Sequence, residues 1–422
     1  MLFLALGSKI QVCSSWVRPP VQFHMSGGSF RFYLISAHTS QFFINWLVED
    51  NCMNRIKRVT LLFFLFCTLA AQSQDVLEAS KKKIAAGDFG GAKADLTKFI
   101  SANSKNKVAF SLSGQARLGL EDFYGAIGDF TYALEIDSTF SEAWNHRGSA
   151  KVALGDDEGA ILDFDKAIKF NSKYTEAYSN RGFAKYNIED LQGAYFDFSK
   201  ALELGPADAD KYFNRGVVKA ELGEFVSAID DYSKAIELDK ADASLFNYRG
   251  VAFYNISDFD KAITDYNEAI RLDPKDALKY ENRALAKSAK EDFKGSLEDY
   301  SKAIELNPEE PETYNLRGVV KFNLEDQEGA IADYTKAIEL DPTNPVYYDN
   351  RALSRSEKED YAGAIEDYSS SIELYPGDPE TYFQRGLVKL AMNNKYDACL
   401  DFKTAEELGS TEAKAAIKKN CK

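Results

Sequence analysis

The chain has 422 residues, a formal net charge of −15, 13% aromatic residues, five cysteines and three histidines. That length exceeds what one compact core holds, since single cores stop growing beyond roughly 250–300 residues. The acidic balance repels nucleic acid and anionic lipid and argues against either as a partner. Only His146 lies beyond residue 71, too few imidazoles for a histidine-based metal centre.

Residues 1–52 have no repeat and no clean periodicity, mixing Trp16, Pro19, Pro20, His24 and His38. The stretch reads as an over-extended start, with a separate small domain as the alternative. Met53 opens a better patterned segment: Arg55, Lys57 and Arg58, an apolar run over 59–69, then Ala70 and Ala71. Residues 53–71 thus have the layout of a secretory signal peptide. The run is short for a membrane span. Export to a periplasm, cell envelope or extracellular space is expected, with a retained membrane anchor as the minor reading. Bulky Phe64 and Phe66 ahead of Cys67 argue against a lipoprotein cut there.

From here one stretch organises the chain: SEAWNHRGSAKVALGDDEGAILDFDKAIKFNSKY, residues 141–174. Moved on by 34 residues it becomes TEAYSNRGFAKYNIEDLQGAYFDFSKALELGPAD, and the register continues at Ala209, Ala243, Ala277, Pro311, Pro345 and Pro379. Backwards it reaches Lys107 and, more weakly, Ser73. A fixed period of this length means a solenoid. Trp144, Gly148 and Val152 recur at helix spacing, Gly155-Asp156 interrupts, and Ala160, Ile161, Phe164, Ala167 and Ile168 restore the stripe on a second helix. The aspartate at the turn is expected to cap that second helix. Pro206, Pro274, Pro308, Pro342 and Pro376 mark helix exits.

Residues 72–106 keep the register with a polar first helix and read as an N-terminal capping repeat; nine tandem repeats fill 107–412. Inside the cap, Asp88-Phe89-Gly90 imitates a magnesium motif, but sister repeats show it to be an inter-helix turn. Residues 281–306 are echoed at 349–374, as if a two-repeat block had been copied. Residues 413–422 read as a capping helix, its lysines suited to a helix C-terminus.

The pattern resembles the tetratricopeptide repeat. The residues that carry the resemblance are Trp144, Gly148, Ala160, Phe164 and Ala167, recurring as Tyr178, Gly182, Ala194, Phe198, Ala201 and as Tyr314, Gly318, Ala330, Tyr334, Ala337. The resemblance implies an all-α, right-handed α-α superhelix acting as a non-enzymatic scaffold. It also implies that the first helices line a concave groove taking an extended segment of a partner protein. Mapped onto this chain, the groove includes Asn145, Phe183, Tyr186, Phe213, Asn247, Tyr254, Asn315, Phe322 and Phe383. Each could equally pack against a neighbouring first helix. The Lys/Asn clamp with which some relatives hold a chaperone C-terminus is disfavoured, because Ser179, Phe183, Phe213 and Val217 stand in its place. The alternative role is a self-associating structural component of the envelope. No nucleotide loop, nucleophile–base pair or metal cluster is readable, so no cofactor and no small-molecule substrate are expected.

One departure from the family pattern is systematic. Where Leu and Tyr are usual on the first helix, this chain has Arg147 and Lys151, and the substitution recurs through Arg385 and Lys389. Two cations four residues apart repel, so compensation is expected. The second helix offers Asp163, Asp197, Asp231, Asp265, Asp299, Asp333, Asp367 and Asp401, predicting a ladder of Arg–Asp pairs between helices, with an anion-binding stripe as the alternative that the matching carboxylates disfavour. Cys399 and Cys421 could pair in an oxidising compartment.

Overall fold

The computed structural model describes residues 74–421; the readings placed on 1–73, including the signal peptide, lie outside the described residues. Among the described residues there are helices and turns and no strands. They fall into two compact units, divided between Lys211 and Tyr212. In the first unit, α1 (74–85) and α2 (Phe89–Ala102) form the capping repeat. Three further pairs follow: α3 (Lys107–Gly119) with α4 (Phe123–Ile136), α5 (Ser141–Ala153) with α6 (Asp157–Phe170), and α7 (Thr175–Asn187) with α8 (Leu191–Leu204).

Helix α9 (Ala209–Glu221) carries the division and is followed by α10 (Phe225–Leu238). The second unit continues with α11 (Ala243–Asn255), α12 (Phe259–Leu272), α13 (Ala277–Ala289) and α14 (Phe293–Leu306). Then come α15 (Pro311–Asn323), α16 (Gln327–Leu340), α17 (Pro345–Glu357), α18 (Tyr361–Leu374), α19 (Pro379–Ala391) and α20 (Lys395–Glu407). Helix α21 (Thr411–Asn420) closes it, starting two residues before the expected cap. From α2 to α8 and from α10 to α21 each helix packs on the next, which is the all-α solenoid of helix pairs that the period predicts.

The turns explain why the breaks fall where they do. Asp156 accepts a hydrogen bond from the backbone N–H of Gly159, and Asp122, Asp190, Asp258, Asp292, Asp326 and Asp360 cap their helices likewise. Glu224 occupies that place before α10 and makes no side-chain cap. The residue before each cap takes a left-handed conformation. Gly155 (φ 79°) does so without strain, but Glu121, Glu189, Glu291, Glu325 and Glu359 adopt it too. A side chain at positive φ carries a steric cost that glycine avoids.

Each core is built from alanines and one aromatic. Ala160, Phe164 and Ala167 are completely buried, and Gly148 lets the Phe164 ring lie against the facing backbone. A Cβ built on Gly148 would sit 2.6 Å from that ring. The same close approach pairs Gly250 with Tyr266 and Gly318 with Tyr334.

The predicted ladder is present. Arg147 donates from Nε to Asp163 Oδ2 at 2.8 Å and from Nη2 to Oδ1 at 2.7 Å. The same two-pronged pair joins Arg181 to Asp197, Arg249 to Asp265, Arg317 to Asp333 and Arg385 to Asp401. A second cation reaches most of these aspartates: Lys151, Lys321 and Lys389 lie 2.9, 2.8 and 2.6 Å from theirs. The remaining guanidinium nitrogen reaches back to the preceding second helix, as from Arg317 to Ser301 Oγ at 3.3 Å and from Arg385 to Ser369 Oγ at 2.9 Å. One arginine thereby ties together both helices of its own repeat and the repeat before it. Such buried pairs add little net stability over apolar packing, but removing one member strands the other.

Cys399 and Cys421 form a disulfide joining α20 to the end of α21. No described helix is long and apolar enough to cross a membrane, and no described group of three or more His, Cys, Asp or Glu could hold a metal ion.

Candidate partner-binding face

The first helices carry the residues mapped to a ligand groove, and the side chains there are of three kinds, one of them outside that mapping. The amides are internal. Asn145, Asn247 and Asn315 are buried, and each side-chain oxygen accepts from an asparagine on the next first helix: Asn180 at 3.0 Å, Asn282 at 3.0 Å and Asn350 at 2.8 Å. The fifth residue of these helices therefore spaces one first helix from the next. These three amides bond inside the stack, which corrects the expectation that they present free hydrogen-bonding groups to a ligand. Tyr174 joins the first of these pairs through Asn145, and burial pushes its hydroxyl well above the usual tyrosine range.

Three aromatics are fixed by other rings. Phe213 stands edge-on to Tyr248 with ring centres 4.9 Å apart. Tyr254 lies 5.4 Å from Phe259 and packs on Ala262, Tyr266 and Ala286. Phe383 lies 5.8 Å from Phe402, within the cluster that α21 completes. All three remain half-buried, so each keeps an exposed edge. Phe183 and Tyr186 on α7, in the first unit, and Phe322 on α15, in the second, are half-buried as well.

The third kind is a set of carboxylates in the second unit that the sequence reading passed over. Glu281 takes the fifth place of α13, where α5, α11 and α15 have asparagine, and accepts from Thr313 Oγ1 at 2.7 Å. Asp349 takes the same place on α17 and accepts from Thr381 Oγ1 at 3.2 Å. Glu312 accepts from Asn315 Nδ2 at 3.3 Å and from the Tyr347 hydroxyl at 3.1 Å. Burial holds all three carboxyl groups above the ordinary carboxylate range, Asp349 at about 6. Hydroxyl and amide bonds oppose the shift; no cation contributes to it.

The contrast with the ladder is chemical. Asp333 has two cations for one carboxylate, whereas Glu281 and Asp349 have neutral donors only. A half-buried carboxylate without a cation favours any positive group brought beside it. The readable signal was an acid at a place that other repeats fill with Asn, Ser or Phe, at positions 68 residues apart in the copied block.

Comparison with known proteins agrees with the repeat unit. A family profile described as "Tetratricopeptide repeat" matches residues 243–276 and 311–344, and a second, "TPR repeat", matches 148–188 and 218–257. No curated protein sequence matches the chain significantly. Among solved structures, YrrB, described as a TPR protein with an unusual peptide-binding site, is 25% identical. The match covers 42% of this chain and 92% of that one, with a TM-score of 0.40. The C-terminal part of a TPR repeat-containing protein from Cytophaga hutchinsonii is 20% identical over 56% of this chain and 97% of its own, with a TM-score of 0.49. A tetratricopeptide repeat protein from Parabacteroides merdae is 19% identical over 67% and 99%, with a TM-score of 0.45.

Proposed function

Since the chain belongs to the tetratricopeptide repeat family, we propose that it is a non-enzymatic, exported scaffold that holds an extended segment of a partner protein along its first helices. One observation carries this reading: the first-helix face combines half-buried aromatic edges with carboxylates that no cation neutralises. Aromatic edges suit the side chains of an extended peptide, and the carboxylates favour a segment bearing Lys or Arg. The frame needs neither feature, because neighbouring repeats close the same place with Asn–Asn pairs.

The test is fluorescence anisotropy with two labelled extended peptide pools of equal hydrophobicity, one basic and one acidic. The basic pool binds the full chain, and binding weakens about 10-fold or more in Phe322→Ala, whose circular dichroism is unchanged. Equal binding of both pools, or no effect of the variant, removes the reading.

Export rests on two independent features. Residues 53–71 have the layout of a signal peptide, and the two cysteines beyond them are paired, as cysteines are in oxidising compartments. Fractionation with N-terminal sequencing tests it: a mature chain beginning near Gln72 is expected, and an uncleaved chain in the cytosol refutes export.

A further inference from the structure

A solenoid of stacked pairs leaves an apolar end wherever the stacking stops. Within the units, the apolar residue at one place on the second helix packs, in five repeats, into a core shared with the next first helix. Ile127 joins Ala143 and Ala150, Ile161 joins Ala184, Ile263 joins Ala286, Leu297 joins Val320, and Ile365 joins Val388. On α20 the same place holds Cys399, and the helix that follows it among the described residues is α21. Its partner is Cys421, just beyond the last turn of α21.

Helix α21 occupies the position of a next first helix but is a weak substitute for one. It has 10 residues against 13, and its buried side chains are two alanines, Ala413 and Ala416. Ile417 and Cys421 are only partly buried against the cluster of Ala398, Phe402 and Ala405. A helix this short does not persist alone in water. Its connection to α20 is the tight turn at Gly409 (φ 108°), where the Ser410 N–H donates to the Ala405 carbonyl at 2.8 Å. Besides this modest packing, one covalent bond holds the cap.

We propose that the Cys399–Cys421 bond is a redox latch, which closes the apolar end of the second unit when oxidised and releases α21 when reduced. Closing transfers two electrons, with loss of two protons from the thiols, to an acceptor disulfide, which leaves as a dithiol. Opening is the reverse exchange with a dithiol donor, whose thiolate attacks one sulfur and whose second thiol resolves the mixed disulfide. Both cysteines are half-buried, so such a reagent reaches them without unfolding the repeats. Release bares the Phe383, Leu390 and Phe402 side of the last repeat, one end of the first-helix face. The latch stands on the terminal geometry alone and holds whether or not the chain binds a basic segment.

Hydrogen exchange on the full chain, with and without dithiothreitol, tests it. Closing a ring of this size shifts the closed–open balance on the order of 100-fold in the loop-entropy picture. Reduction is therefore expected to speed exchange in 411–420 about 100-fold while 345–374 keeps its protection. Cys421→Ser should exchange like the reduced chain and ignore dithiothreitol. Unchanged protection of 411–420 on reduction overturns the proposal, because packing alone then holds the cap. Loss of protection throughout 345–420 also overturns it, because the bond is then a staple for the whole end.

Discussion

The interior ladder and the first-helix face obey different rules within the same repeats. The ladder is monotonous: an arginine, an aspartate 16 residues later and, in most repeats, a second cation on the same carboxylate. The fifth residue of the first helix varies instead, from Asn145 to Phe213, Glu281 and Asp349. Geometry that eight successive repeats share, from Arg147 to Arg385, is kept constant; the place that only the next first helix and the solvent see is free to change. The difference separates frame from function in a chain whose fold says little about its ligand.

The sharpest way to break this contrast is to put the two kinds of aspartate through the same substitution. Asp333→Asn strands Arg317 and Lys321 in a buried site and should cost about 3–5 kcal/mol in urea unfolding. Asp265→Asn strands Arg249 alone, because Phe253 replaces the second cation, and should cost less. Asp349→Asn should do the opposite and stabilise the chain at pH 7, by about 2 kcal/mol at most. A destabilised Asp349→Asn would place that carboxylate in the frame and erase the distinction.

The pH dependence sharpens the same point. The folded carboxyl of Asp349, at about 6, lies above its unfolded value, so the folded chain holds the extra proton between roughly pH 4 and 6. The stability tied to this group is full below that window and is lost as pH rises through it. Asp349→Asn should remove that slope, read from urea midpoints between pH 4 and pH 7. The smallest effect belongs to the turns: Glu325→Gly relieves a positive φ of 63° and should add about 0.5–1 kcal/mol, a gain visible in the thermal midpoint.

Much of the frame was legible because it recurs. A cap aspartate, a Gly facing an aromatic and an Arg–Asp offset seen many times over cannot be accidents of composition, and each appears in space as its spacing predicts. The face was less legible, because spacing along one helix does not reveal how close the next helix lies. Asn145, Asn247 and Asn315 read as ligand contacts for that reason and are buried between helices. Phe383 belongs to the closing cluster under α21 for the same reason. Glu281 and Asp349 were visible as the two acids at a place otherwise filled by neutral residues, but their meaning depends on Thr313 and Thr381, which sit 32 residues further along and meet them only in the stack.

The most direct test of the central claim is site-specific photocrosslinking in the full chain with a basic extended peptide. A photoreactive residue replaces Phe322 on the first-helix face in one variant and exposed Ala332 on the second helix of the same repeat in another. The account predicts crosslinks from position 322 that an excess of unlabelled peptide abolishes, and none from 332. Crosslinks from 332 with none from 322 would contradict it and move the binding surface to the opposite helices.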